Sequence, residues 1–249
     1  MADRRGRLTR DQIICTMPAV SELYPTSPIE YRGTEAIAVP YETDLEAARA
    51  MVPPMVEVEE PATALMTVLR IHSSSIGAFN EAQVTLRVRY QGEPRRFNVL
   101  MFTTSDASLT YGRELLGAPK KLGHVELLQE QEGYVGIVER PRGFRLVTCA
   151  VTPRTLIRPD PTAFNTSASL SLRVLPHPDD EQGKQRVTIE LVETAAEWTL
   201  LDQWQGPAAL TINASEIDPF HRLPVRRVLG GMYTRLNVTA PWPRTIARM

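Results

Sequence analysis

Lys120 and Lys121 stand side by side in the run Pro119-Lys120-Lys121-Leu122-Gly123. The chain carries 28 basic residues, and only one other, Lys184, is a lysine; the rest are arginine. What lysine can do and arginine cannot is lose its proton and attack a carbonyl carbon, forming an imine. A free lysine titrates near ~10.4, so only ~0.04% of it is amine at pH 7; bringing it to 7 means penalising the ammonium by ~4.6 kcal/mol. An apolar pocket supplies part of that, and a second ammonium nearby adds to it. In a regular strand two consecutive lysines point to opposite faces, and burial must then carry most of the effect. The bland alternative is a solvated Lys-Lys pair at a turn.

The lead-in to the pair is Tyr111-Gly112-Arg113-Glu114-Leu115-Leu116-Gly117-Ala118-Pro119. It reads as a brief helical turn stopped at Gly117, after which Pro119 stiffens the backbone ahead of Lys120. A stiff approach suits a side chain that must be aimed into a cavity.

The elements that must hold this segment are mostly strands. Val84-Thr85-Leu86-Arg87-Val88-Arg89-Tyr90 alternates apolar and polar, as a half-buried strand does. Gln91-Gly92-Glu93-Pro94 turns the chain into a second run, Phe97 to Phe102. Further strands are expected at Glu35 to Tyr41, Val125 to Leu128, Tyr134 to Glu139, Phe144 to Val151, Leu170 to Leu175, Val187 to Val192, Trp198 to Leu201, Ala208 to Ile212 and Met232 to Val238. One short helix, Leu45 to Met51, follows Thr43-Asp44 and ends at Pro53-Pro54. Pro176 to Gln185 reads as a charged loop. This pattern predicts antiparallel β-structure closed or nearly closed on itself. Residues 1–30 are expected to be an irregular N-terminal arm and 31–249 a single domain.

Composition narrows the function classes. A net charge of −1 gives no reason to expect nucleic acid or an anionic membrane. Arg95-Arg96 and Arg226-Arg227 are too short to change that. Cys15 and Cys149 are far apart and lack metal-ligand spacing, which argues against structural zinc and a disulfide framework. With no apolar run of membrane-span length and no secretory leader pattern, the expected location is the reducing cytoplasm. The Asn-x-Ser/Thr matches at Asn165, Asn213 and Asn237 carry no meaning there.

Gly112-Arg113-Glu114-Leu115 followed by Pro119-Lys120-Lys121-Leu122-Gly123 resembles the signature of the acetoacetate decarboxylase superfamily. Acetoacetate decarboxylase is itself the familiar case of a lysine activated by a cationic neighbour. Weaker matches are Tyr41-Glu42-Thr43-Asp44-Leu45, Val52-Pro53, Glu60-Pro61 and Leu223-Pro224-Val225, so the resemblance runs from about residue 30 onward. It implies a β-rich α+β fold with a cone-like barrel, a few short helices and the lysines inside. It further implies that Lys120 forms the imine, that Lys121 lowers its proton affinity, and that Glu81 is a catalytic acid/base. Without gaps, the family's carboxylate-binding arginine falls on Thr34, with Arg32 two residues away as a substitute, and its second active-site glutamate falls on Met66. Arg70 and His72 share the strand alternation of Met66 and are expected to be ordinary strand residues.

The expected function is therefore a Schiff-base lyase that decarboxylates a small β-keto acid through Lys120, with no metal or organic cofactor, as a homo-oligomer. One alternative is an aldolase-dehydratase joining pyruvate or another 2-oxo acid to an aldehyde through the same imine. Another is a barrel that binds small carbonyl compounds without turnover. The changes at Thr34 and Met66 count against acetoacetate itself as the substrate.

Overall fold

The computed structural model describes residues 4–13, 16–26, 28–158, 168–181 and 184–249. Cys15 and Asn165 lie outside them. Strands dominate. The main hydrogen-bonded path runs Thr155–Ile157, Glu197–Gly206, Gly231–Ala240, Ile29–Glu42, Thr63–Ile71, Phe79–Tyr90, Glu93–Thr103, Ser169–Glu181, Lys184–Thr194 and Arg244–Arg248. A separate four-stranded sheet pairs Ala208–Ile212, Arg145–Val151, Gly133–Glu139 and His124–Glu130. The β-rich, few-helix expectation holds, but the pairing does not show the expected closed or nearly closed barrel: the main path has two ends, and among the described residues no ring of strands closes.

The central strands have no solvent-facing side. Thr63–Ile71 is buried at every position but Arg70, because both faces of the main sheet are covered. One face packs on the smaller sheet: Val39, Val68, Val84 and Phe102 share a core with Val125, Val138 and Val147. Each such side chain contributes ~1.5–3 kcal/mol of burial. The other face presents Ala36, Leu69, Ile71, Phe79 and Val238 to a second cluster. The site lies on that second face.

Most strands begin earlier or run later than their apolar runs, since polar residues continue the ladder where a neighbour is available. The clearest correction is at Pro176 to Gln185. Instead of a free loop, the two strands extend as a hairpin that pairs Pro176 with Val187 and Asp180 with Gln185 across an irregularity. The helix near residue 45 is Leu45–Arg49, ending before the proline pair. The N-terminal segment is largely irregular as expected, but it is not all peripheral: Tyr24 is buried, with its ring edge-on to Tyr111 at 5.6 Å. Cys149 is a buried free thiol that burial pushes up to about 12, which makes it chemically quiet. No helix among the described residues is long and apolar enough to cross a membrane.

Candidate active site

Lys120 opens a three-residue strand, Lys120–Leu122, that pairs in parallel with Glu93–Thr103, setting Met101 beside Lys120 and Phe102 beside Lys121. Alternation sends the two lysines to opposite faces. Lys120 enters a cavity of about 130 Å³ and is only 3% exposed. Its Nζ lies 2.6 Å from Oε2 of Glu81 and donates to Oγ of Ser108 at 2.9 Å. Ser108 Oγ in turn donates to the same Glu81 oxygen at 3.4 Å. An amine, a carboxylate and a hydroxyl thus form a closed triangle against walls that include Leu69, Ile71, Phe79 and Val238.

The signature residues explain how Lys120 is aimed. Asp106–Tyr111 is a helix, with Ser105 accepting from the Ser108 amide, and it continues into a wide turn, Gly112–Leu116. Gly117 ends that turn at φ +64, a conformation that costs glycine little. Gly112 lies against the lysine stem: a Cβ there would stand 2.6 Å from Cδ and 2.8 Å from Cε of Lys120. Arg113 donates to the Lys120 carbonyl at 3.2 Å, and Glu114 accepts from Tyr24 at 2.7 Å. The run therefore makes room for the nucleophile, fixes its backbone and ties down the N-terminal segment. Gly112→Ala keeps a helical φ of −60, so the fold is expected to survive. Displacing the lysine stem should lower turnover by about 100-fold. Turnover within a few-fold of the parent, at unchanged melting temperature, would refute this account of the glycine.

Lys121 corrects the expectation of a second ammonium beside the first. Its Nζ donates to the Ile217 carbonyl at 2.6 Å and to Asp218 Oδ1 at 2.7 Å, and Arg140 reaches the same carboxylate at 2.8 Å. Asp218 is buried between these two cations. Lys121 pins the short strand to the 215–223 segment; it does not put charge next to Lys120.

Two other sequence candidates stand outside the cavity. Between Tyr31 and Thr34 the strand bulges, with Gly33 at φ +62, so that Tyr31 and Thr34 both line the cavity. Arg32, at the crest, points out and pairs with Glu30 at 2.9 Å. It does not take the place of an arginine at position 34. Met66 is fully buried in the core between the sheets, on the opposite face of its strand from Leu69 and Ile71. Arg70 and His72 share that face and bind Glu35, at 2.9 Å and 2.7 Å. Burial pushes the Glu35 carboxyl up, but the bonds from His72, Tyr233 and Arg70 and the charge of Arg70 outweigh it and hold it at about 2. Those two residues are structural, as expected.

Sequence reasoning missed Tyr31, Ser108 and Arg96. Burial pushes the Tyr31 phenol up, and the nearby Glu81 carboxylate adds to the effect. Arg96 is buried at the cavity margin with its guanidinium 5.3 Å from the centre of the Trp198 ring. Among the described residues no group of three or more His, Cys, Asp or Glu is placed to hold a metal ion.

The chain has relatives. The family model for acetoacetate decarboxylase matches residues 16–248. The chain belongs to the acetoacetate decarboxylase family. Acetoacetate decarboxylase 2 of Mesorhizobium japonicum is 30% identical over 227 residues, covering 90% of this chain and 85% of the relative. Among solved structures, acetoacetate decarboxylase from Legionella pneumophila superposes with a TM-score of 0.88 at 22% identity, covering all of this chain and 98% of the other. The enduracididine biosynthesis enzyme MppR, complexed with the condensation product of pyruvate and imidazole 4-carboxaldehyde, superposes with a TM-score of 0.77 at 19% identity, covering 93% and 95%. Family membership supports the sequence resemblance; the two structural likenesses bear on the fold.

Proposed function

We propose that this protein is a Schiff-base lyase that decarboxylates a keto acid, with Lys120 as nucleophile and Glu81 as acid/base. The observation that carries the reading is the buried triangle of Lys120, Glu81 and Ser108. A proton passing from Nζ to the carboxylate leaves an amine and a carboxylic acid, the two forms the first step needs. The amine attacks the ketone carbon, Glu81 gives its proton to the departing hydroxyl, and water leaves an iminium on Lys120. The bond to the carboxylate then breaks, its electron pair enters the iminium to give an enamine, and carbon dioxide departs. Glu81, reprotonated from solvent water after the dehydration, gives that proton to the enamine carbon, and water hydrolyses the resulting iminium to ketone and free amine. The cycle thus takes up one proton from solvent for each carbon dioxide released. Ser108 keeps the two partners in register, and Lys121 acts only as an anchor.

One observation favours a second chemistry on the same imine. By the sequence resemblance the family's carboxylate-gripping arginine falls on Thr34, which lines the cavity and whose buried Oγ1 has no hydrogen-bond partner among the described residues. With no guanidinium there, an enamine from pyruvate has room to add to an aldehyde and lose water, and a structural neighbour holds such a condensation product. Borohydride reduction with acetoacetate, with pyruvate, and with pyruvate plus an aldehyde, read by mass spectrometry of Lys120 and by released carbon dioxide, tests both. An acetoacetate adduct with gas evolution supports decarboxylation, and a pyruvate adduct without gas supports condensation. No adduct with any of them refutes the imine and leaves a protein that binds small carbonyl compounds without turnover.

A further inference from the structure

We propose that Arg96 forms an anion-binding end to the catalytic cavity, so that the preferred substrate carries a carboxylate separated by an apolar chain from the carbonyl that meets Lys120. The proposal takes the position of the reacting carbonyl from the Schiff-base reading.

Cross-strand neighbours on one face define rows across the sheet. The row at the reacting end holds Lys120, Met101 and Gln83, paired in that order. A second row holds Arg96, Ser169 and Thr194, where Ser169 pairs with Arg96 on one side and Thr194 on the other. All six line the one cavity. Strict alternation would put Arg96 on the opposite face from Met101. The ladder instead skips a residue at Val99, pairing Val84 with Leu100 and Thr85 with Asn98. That bulge brings Asn98 and Arg96 back onto the cavity face.

The separation of the rows follows from the partner strand, where Gln83 faces Met101 and Arg87 faces Arg96. Four residues of strand are roughly 13 Å. Side chains from both ends span part of that distance, and the cavity walls include Ala196, Trp198, Val238 and Leu69. The carboxylate of a short β-keto acid, two bonds from its carbonyl, sits at the lysine end. A carboxylate at the arginine end requires a longer chain. The chemistry of that end fits an anion: an arginine only 6% exposed, flanked by the hydroxyl residues Ser169 and Thr194. Burial pushes the guanidinium down to about 10, and a carboxylate reaching it would add a charge-assisted hydrogen bond.

The test uses the full chain and two readouts. The first is calorimetric binding of hexanoate against hexanol, which needs no imine. Wild type is expected to prefer the carboxylate by roughly tenfold or more, the preference falling in high salt and vanishing in Arg96→Met. The second is borohydride trapping on Lys120 across 3-oxo, 4-oxo, 5-oxo and 6-oxo acids and the neutral methyl ketones of equal length. The longer acids should outcompete their neutral counterparts in wild type only, while Arg96→Met still traps the neutral ketones and so reports a folded cavity. Equal binding of hexanoate and hexanol by wild type, or a carboxylate preference that survives in a folded Arg96→Met, overturns the proposal. If Arg96→Met does not fold, the wild-type comparison alone decides. Arg96-dependent carboxylate binding without any adduct supports the subsite and refutes the Schiff-base reading, so the two failures are distinguishable.

Discussion

Lys120→Arg is expected to lower turnover to below about a thousandth of the wild-type rate and to remove every borohydride adduct, while leaving the protein folded. The substitution keeps the positive charge that faces Glu81 in the buried triangle, so the carboxylate is not left unpaired. What it removes is the ability to present a neutral amine, because a guanidinium stays protonated. The neighbour gives the contrast. Lys121→Arg retains a cation able to reach Asp218 and the Ile217 carbonyl, on the far face of the strand. It should keep adduct formation and turnover within about tenfold. Retained turnover in Lys120→Arg would refute the imine, and a loss in Lys121→Arg as deep as that in Lys120→Arg would refute the division of roles drawn from their opposite faces.

How the pair behaves marks the limit of what is legible along the chain. A scarce residue kept twice at one spot, flanked by Gly112, Gly117 and Pro119, is readable without coordinates, and so is the consequence of alternation for two adjacent side chains. The family's habitual reading, in which one lysine acts on the other through its charge, obscures it. Asp218 lies ninety-seven residues from Lys121, and nothing between them in sequence announces the pairing. The same distance problem hides Ser108: it is an ordinary helix serine until the strand carrying Lys120 is laid beside it.

Bulges account for the other misreadings. A one-residue slip exchanges the faces of everything beyond it. At Gly33 the slip brings Thr34 into the cavity and throws Arg32 out. At Val99 it turns Arg96, one half of a basic pair with no evident role, into a cavity residue. Gly33 was a hint, since glycine inside a strand often marks a bulge. Val99 gave none, because a β-branched residue is what a regular strand would have there. Met66 failed for a simpler reason: alignment carries a position across, and the face follows from the local ladder, which here turns Met66 toward the smaller sheet.

Glu81→Gln separates the formation of the imine from its use. Glutamine keeps the size of the side chain and an oxygen able to accept from Lys120 and Ser108, so the triangle is expected to persist. What is lost is the acid that protonates the departing hydroxyl and, once recharged from water, the enamine carbon. Turnover should fall by about 100- to 10,000-fold, the usual worth of a positioned acid/base. Borohydride should still trap a ligand on Lys120, because water can slowly replace the acid in the dehydration step. An adduct that accumulates without product is therefore the expected signature, and it distinguishes a proton-transfer residue from one that merely holds the lysine. If Glu81→Gln lost adduct and turnover together, Glu81 would be a support for Lys120 and no more. If turnover stayed within about tenfold, the proton would have to come from elsewhere, and Tyr31, whose phenol shares the cavity and feels the Glu81 charge, would be the next residue to change.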